Sequence, residues 1–254
     1  MNNKSVQVLN LSANNIGLNG VTAIRTLLQH NTTIKHLNVA TCQFTTNHIQ
    51  ILCDGIKHNR SLTALNFYDN RLDLQAYRYI CDALKTNRSL ISCCFGGTSA
   101  LELESAEIIK EILLSNSTLQ DVGIGHKFET ASVFQPICDS LKVNQSLTKL
   151  VLFSVVDELH DMIVGVLQVN QALTSVSTGW SNTPAEIEAL ITRNRQLQSE
   201  IKYKVTVLAR NIAHSSSALS LLPCEIWQLI LKQISHPGVV SFDSIVDKAF
   251  VSTK

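Results

Sequence analysis

Residues 59–70 read Asn59-Arg60-Ser61-Leu62-Thr63-Ala64-Leu65-Asn66-Phe67-Tyr68-Asp69-Asn70. The first asparagine ends a helix, and apolar residues at alternate positions 65 and 67 then predict a short strand with one buried face. The same pattern recurs wherever an asparagine stands three residues before an aliphatic residue, at Asn31, Asn59, Asn87, Asn116, Asn144, Asn170 and Asn194. The intervals are 28, 28, 29, 28, 26 and 24 residues. The chain is therefore built from one repeat that shortens towards its end.

Each repeat also carries two aliphatic positions, seven and three residues before its asparagine. They are Ile24/Leu28, Leu52/Ile56, Ile80/Leu84, Ile109/Leu113, Ile137/Leu141, Ile163/Leu167 and Ile187/Ile191. Residues four apart share one face of a helix, so these pairs predict the buried stripe of seven helices. Alternate apolar strand residues, such as Leu65 and Phe67, supply the opposite wall. The pattern predicts stacked strand–helix units around a shared interior.

The first unit, Leu9-x-Leu11-x-x-Asn14-x-Ile16 followed by Gly20 and a helix, resembles a leucine-rich repeat of the ribonuclease-inhibitor type. That resemblance implies an α/β leucine-rich repeat solenoid, a curved parallel sheet with outer helices, over residues 1–197 in about seven repeats. In this family the strand-end asparagine bonds the backbone of the turn and links adjacent coils. Here that position holds Asn14, Cys42, Asn70, Thr98, Lys127, Val155 and Ser181. The last four depart from the family pattern and predict irregular turns in the second half.

Residues 198–254 are expected to form a small helical C-terminal cap, beginning with a separate helix over 199–213. Residues 221–236 resemble the opening of an F-box, with Leu222-Pro223 followed by Ile226, Ile230 and Ile234 on one helical face. That resemblance implies that these five residues dock a ubiquitin-ligase subunit. The alternative is that the segment only caps the array.

Composition narrows the function classes. Hydrophobic residues make up 45% of the chain and the net charge is +1, which gives no electrostatic case for nucleic acid. No apolar run reaches the length of a membrane span, and no apolar signal core is present, so we expect no membrane partner and a cytosolic redox environment. The seven cysteines occupy repeat positions without metal-ligand spacing, which favours structural thiols over disulfides or metal. No P-loop, zinc-protease or nucleophile-elbow motif occurs, so we expect neither an enzyme nor a cofactor.

Strand residues between the apolar ones face the predicted concave side of the sheet. From them we select a candidate partner-binding set of His36, Asn38, Asn66, Tyr68, Asp69, Asp121, Lys149, Val151, Phe153 and Trp180. Large aromatic side chains on a solvated face are typical of interface hot spots. The alternatives are that Trp180 packs under the cap and that Phe153 compensates for a distorted sixth repeat. Glycines at 96, 97, 123 and 125 leave the middle of this face flat, which either admits a partner's backbone or marks degenerate repeats.

These features favour a non-catalytic protein–protein interaction scaffold. Imperfect repeats with an F-box-like tail look similar to the leucine-rich repeat effectors of intracellular bacterial pathogens. That resemblance implies a host protein bound on the concave face and secretion into the host cell without a cleaved signal peptide. Two alternatives remain open: a ubiquitin-ligase substrate adaptor that acts through the tail, and a structural repeat protein whose tail only caps the array.

Overall fold

The structure is a computed structural model that describes residues 3–70, 72–97, 101–128, 130–156, 159–178 and 183–213. Strands and helices alternate along the chain. The strands are β1 Val8–Asn10, β2 His36–Asn38, β3 Ala64–Asn66, β4 Ser92–Phe95, β5 Asp121–Phe128, β6 Lys149–Val155 and β7 Ser175–Ser177. The helices are α1 Gly17–His30, α2 Thr46–His58, α3 Leu74–Thr86, α4 Leu103–Ser115, α5 Ala131–Val143, α6 His160–Val169 and α7 Ala185–Ala213.

The seven strands form one parallel sheet in chain order, and each strand pairs with the next. Corresponding residues of successive repeats lie side by side, as in the register Leu37↔Leu65↔Cys93. A strand–helix unit that pairs with its neighbours in order is the leucine-rich repeat solenoid that the sequence predicts. The predicted fold class of the array is therefore confirmed.

The interior is built from the two aliphatic positions of each helix and the inward strand positions. All fourteen helix residues of the predicted stripe are at most 5% exposed. The inward strand residues Leu65, Phe67, Cys93 and Phe95 are also buried, while Leu9 and Leu11 in the edge strand are only partly buried. One continuous apolar core thus joins the sheet to the helices.

The repeat asparagines stack into a ladder of buried carboxamides at the ends of the helices. The side chain of Asn59 accepts from the backbone N–H groups of Ser61 (2.9 Å) and Leu62 (2.6 Å) in its own turn. Its Nδ2 donates to the carbonyl oxygen of Leu28 in the preceding helix (2.7 Å). The cross-coil bond recurs from Asn87 to Ile56, Asn116 to Leu84, Asn144 to Leu113 and Asn170 to Leu141. Each asparagine therefore fixes its own turn and also closes a helix end of the coil before it.

The strand-end position behaves as the resemblance implies only in the first half. Nδ2 of Asn70 donates to the carbonyl oxygens of Val39 (2.8 Å) and Phe67 (3.1 Å), and its Oδ1 accepts from the N–H groups of Cys42 and Phe44. In the fifth and sixth coils this position lies within longer strands, at Lys127 in β5 and Val155 in β6, while Thr98 and Ser181 lie outside the described residues. Longer strands thus replace the asparagine-centred turn there.

The chain divides into two compact units, Met1–Asn194 and Arg195–Lys254. The helix predicted over 199–213 is present, but it is the C-terminal part of α7, which runs unbroken from Ala185 to Ala213. Residues 195–213 carry no proline or glycine that would interrupt it. The F-box-like segment and its docking residues Leu222, Pro223, Ile226, Ile230 and Ile234 lie outside the described residues, and the capping role stays a prediction.

Replacing a ladder asparagine should destabilise the protein more than replacing an exposed turn asparagine. Asn87 is fully buried, and Asn87→Ala removes bonds to two carbonyl oxygens and two backbone N–H groups. We expect the free energy of unfolding in urea to fall by about 3 kcal/mol, because buried backbone groups lose their partners. Asn14→Ala is the matched control, since Asn14 is exposed and bonds only its own loop, and it should cost less than about 1 kcal/mol. Equal losses would show that the ladder adds nothing to a local turn.

Candidate interaction surface

The solvent face of the sheet, the face predicted to be concave, is positioned by strand alternation. Because Leu65, Cys93 and Val122 point into the core, their neighbours point away from it. The register Asn66↔Cys94↔Gly123↔Val151 carries one row of outward residues across β3 to β6. The centre of this face combines small residues with two large aromatic side chains.

Tyr68 and Phe153 form a stacked pair at this centre. Tyr68 follows β3 and Phe153 lies in β6, so two strands separate the residues in the sheet. Their ring centroids are 4.9 Å apart and the ring planes differ by 14°. Phe153 remains 45% exposed, while Tyr68 is half-buried. Stacking of this kind contributes about 0.5–1.5 kcal/mol beyond the area that it buries.

Glycines make room for the pair. A Cβ atom at Gly125 would lie 2.2 Å from Cε2 and 2.4 Å from Cδ2 of Tyr68, so the tyrosine ring lies directly over this glycine. A Cβ atom at Gly123 would lie 2.8 Å from Sγ of Cys94 and 3.6 Å from Cε2 of Phe153. The expectation of a flat surface open to a partner's backbone is therefore wrong for Gly123 and Gly125. The protein's own side chains cover them.

A β-bulge interrupts the pairing of β5 with β6 beside the aromatic pair. The β5–β6 register shifts between Ile124 and Lys127, which places Gly125 and His126 opposite Phe153. His126 follows the inward alternation of Val122 and Ile124 and is only 5% exposed, and its Nε2 is hydrogen-bonded to the hydroxyl of Tyr77 in α3. Burial raises the pKa of the Tyr77 phenol, so the hydroxyl keeps its proton and can donate. Strand alternation predicts the inward direction of His126 but not its partner, because Tyr77 lies two coils away.

Gly96 of the neighbouring coil completes the arrangement. Its φ of 109° is a backbone conformation that side chains disfavour, and an added Cβ would lie 2.7 Å from the backbone nitrogen of Gly125. The backbone N–H of Asp69 donates to the carbonyl oxygen of Gly96 (2.7 Å), and Asp69 itself has a φ of 58°. This hydrogen bond therefore holds the turn that carries Tyr68 against the residue that follows β4.

Charge on this face is local and partly paired. Nζ of Lys149 lies 3.1 Å from Oδ2 of Asp121 on the adjacent strand, and both side chains are substantially exposed. Such a surface pair contributes about 0–1 kcal/mol and leaves both groups accessible to a ligand.

Desolvation, followed by the charges of Asp69 and Cys94, raises the pKa of Tyr68, so this phenol is neutral at physiological pH.

The structure brings only some of the predicted residues together. Tyr68 contacts Phe153, and Asp121 contacts Lys149, whereas His36 is exposed at the start of β2. The carboxamides of Asn38 and Asn66 are engaged in their own turns, where they accept from the N–H groups of Ala40 and Tyr68. The remaining members are Asp69 and Val151, both half-buried, and Trp180, which lies outside the described residues. Their role in binding a partner stays a prediction.

Several buried thiols are structural groups with raised pKa values. Burial raises the pKa of Cys53, Cys81 and Cys138 to about 12 and that of Cys94 to about 11. The six cysteines of the described residues are free. Within the same residues, no group of three or more His, Cys, Asp or Glu side chains could hold a metal ion. No helix in the described ranges has the length and apolar character needed to cross a bilayer.

Comparison with known proteins returned similar solved structures only. No protein-family profile and no curated protein sequence matches the chain. The tropomodulin C-terminal domain of Caenorhabditis elegans is similar at a TM-score of 0.45 and 11% identity, over 72% of this chain and 98% of that one. The actin-binding site 2 structure of leiomodin-1 is similar at a TM-score of 0.35 and 15% identity, over 82% of this chain and 91% of that one.

A methyl group at Gly125 should displace the Tyr68 ring. We expect Gly125→Ala to lower the free energy of unfolding by about 1–3 kcal/mol, because the added Cβ overlaps the ring. In a Tyr68→Ala background the same substitution should cost less than about 1 kcal/mol, since the overlapping atoms are gone. Urea unfolding of the four proteins in this cycle measures the coupling. An equal cost in both backgrounds would contradict the observed packing of the ring.

The raised thiol pKa values predict slow alkylation of the native protein. At neutral pH we expect iodoacetamide to modify the half-buried Cys94 first and slowly, with a rate that rises with pH towards about 11 as the thiolate forms. Mass spectrometry of peptides from native and urea-unfolded protein measures the order of modification. Rapid labelling of native Cys94 at neutral pH would contradict its environment.

Proposed function

We propose that this protein is a non-catalytic scaffold that binds a protein ligand on the solvent face of its sheet, centred on Tyr68 and Phe153. The observation that carries the proposal is the exposed, stacked aromatic pair held over glycines in the middle of the sheet. In contrast, the aromatic side chains of the core-facing rows, such as Phe67 and Phe95, are fully buried and pack the interior. The Tyr68–Phe153 pair lies on the solvent face and does not pack the interior in this way.

The pair suits an interface anchor for energetic reasons. Its rings are stacked against each other and backed by the sheet, so a ligand that covers them orders few additional torsions. Removing the exposed part of Phe153 from water supplies hydrophobic free energy, and the Asp121–Lys149 pair on the same face of the sheet can orient polar groups of the ligand. Large aromatics with polar surroundings are typical of the residues that dominate binding energy.

Binding is favoured over covalent chemistry on this face. Cys94 is the thiol nearest the aromatic pair, and desolvation holds its pKa near 11, which leaves little thiolate at neutral pH. The raised pKa of Tyr68 likewise opposes ionisation. The chemistry available at the centre of the face is therefore apolar contact and hydrogen bonding.

The finer parts of the proposal rest on sequence resemblance. A role as a bacterial effector that binds a host protein, and action in a reducing cytosol, follow from the repeat pattern combined with the tail. The ubiquitin-ligase alternative rests on residues 221–236. A pull-down of the intact chain with a purified ligase adaptor subunit tests it, and absence of binding would remove it.

Truncating the aromatic pair should abolish ligand capture. In affinity capture from a cell lysate, we expect Tyr68→Ala/Phe153→Ala to recover at least about tenfold less of a specific partner than wild type, because two hot-spot side chains are lost. Tyr203→Ala is the matched control, since Tyr203 is 72% exposed on α7 and lies in the other unit. Urea unfolding confirms that each variant is folded before capture. Equal recovery of every captured protein by the double variant and wild type would refute the assignment of this face.

A further inference from the structure

A second surface lies where the helices end and the chain turns towards the strands. We define the helix-end edge as the residues two and one positions before, and one position after, each repeat asparagine. The ladder places these positions of successive coils side by side, because Nδ2 of Asn87 donates to the carbonyl oxygen of Asn59 (3.0 Å) and that of Asn170 to Asn144 (2.8 Å). The edge is therefore a continuous strip across the array, separate from the solvent face of the sheet.

The second and third coils make their part of this strip basic. They contribute Lys57, Arg60, Lys85 and Arg88, and no acidic residue occupies an edge position in the first three coils. Nη1 of Arg60 donates to the carbonyl oxygens of Lys57 (2.7 Å) and Asn59 (3.1 Å). The guanidinium groups are thereby anchored at the strip rather than extended into solvent.

The ion pairs of the described residues leave this charge largely uncompensated. Lys85 pairs with Glu111 on α4, whereas Arg60 and Arg88 bond backbone carbonyl oxygens and both are exposed. Asp54 lies one helical turn before Lys57 on α2. Its Oδ2 is 2.6 Å from Nε of Arg25, so this carboxylate is already paired. The basic part of the strip thus presents cations that an acidic ligand can pair with.

In the fourth to sixth coils the same strip becomes aliphatic. Leu114 is 53% exposed, Val143 62% and Val169 60%. They lie near the ends of α4, α5 and α6, which pack side by side. One cation remains here, at Lys142, whose Nζ lies 4.0 Å from Asp139. Three exposed aliphatic side chains in neighbouring coils form a patch of the kind that marks an interaction site.

We propose that the helix-end edge binds a segment of a partner protein in which an acidic block adjoins an aliphatic block. From the second to the sixth coil the two chemistries follow each other along the strip, with Lys142 as the one cation among the aliphatic positions, which matches a linear ligand laid across these coils. A bilayer surface, by contrast, favours cations distributed around the apolar groups that it takes up.

The dimensions set the length of the segment. Packed helices lie about 8–10 Å apart, so the strip from α2 to α6 is about 32–40 Å long. An extended segment of about 10–12 residues spans it. A helical segment needs about 21–27 residues.

Synthetic fluorescein-labelled peptides of about 24 residues test the proposal by anisotropy, because this length spans the strip either extended or helical. Two of the peptides join a glutamate-rich block to a leucine-rich block, one in each order. Their lysine twins have the same sequences with lysine in place of glutamate. We expect a glutamate–leucine peptide to bind the full chain with an affinity that falls as salt is added. It should bind the Tyr68→Ala/Phe153→Ala variant as tightly as wild type. The last result separates this surface from the one proposed above.

Substitutions taken from other coils locate the binding. Arg60→Gln/Arg88→Gln introduces the residue found at this position as Gln145 and Gln171, and should weaken binding about tenfold at low salt. Val143→Thr/Val169→Ser introduces residues found one position before Asn87 and Asn116, and should weaken binding by a similar factor. Lys202→Gln/Lys204→Gln, which removes two exposed cations from α7, is the charge-matched control and should bind as wild type does.

Three outcomes would overturn the proposal. The first is that the lysine twins bind as tightly as the glutamate peptides. The second is that neither double variant of the strip changes the affinity. The third is binding to phosphatidylserine vesicles without binding to any glutamate–leucine peptide, which would assign the strip to an anionic membrane surface.

Discussion

The cross-coil hydrogen bond of the repeat asparagine is the interaction on which the array depends. A helix ends with carbonyl groups that have no partner within the helix, and in a stacked array these groups are buried against the next coil. The carboxamide of Asn59 serves both needs, since its oxygen accepts from Ser61 and Leu62 and its nitrogen donates to Leu28. An aspartate offers no donor for the carbonyl, and an apolar residue offers neither group. The period therefore follows asparagine more faithfully than any single aliphatic residue.

The ladder also explains why the repeat tolerates unequal lengths. The interval falls to 26 and 24 residues at its last two steps, yet Asn170 still donates to Leu141 and Asn194 to Asn170. Variation is taken up on the opposite side of the coil, between strand and helix. There the asparagine of the third coil, Asn70, gives way in the fifth to a longer strand with a bulge at Gly125 and His126. The aromatic pair sits on this irregular part, which agrees with the expectation that departures from local rules gather at functional sites.

Sequence reasoning predicts what depends on periodicity. Repeat length, the parallel sheet in chain order and the buried stripe of the helices all follow from the spacing of asparagines and aliphatic residues. Side-chain direction at irregular positions does not follow from it. His126 pairs with Tyr77 two coils away, and the Tyr68 ring lies over Gly125 because a glycine two strands away leaves space for it. Both depend on contacts between coils, which no single repeat encodes. The continuity of α7 through residue 198 was not predicted, because the repeat pattern ends before the helix does.

The hydrogen bonds of the ladder asparagine satisfy the backbone of its turn, so the side chains beside it are free to vary. Because the repeat asparagines from Asn59 to Asn170 bond the N–H groups of their turns and a carbonyl of the previous helix, the residues beside them need no particular side chain to hold the turn. In these coils the position before the asparagine accordingly holds histidine, threonine, serine or valine, and the position after it holds arginine, serine or glutamine. Charge and apolar surface at the helix-end edge can therefore change with little effect on stability. The segregation of basic from aliphatic coils along this edge is not required by the fold, and the proposed binding of an acidic–aliphatic segment rests on this segregation.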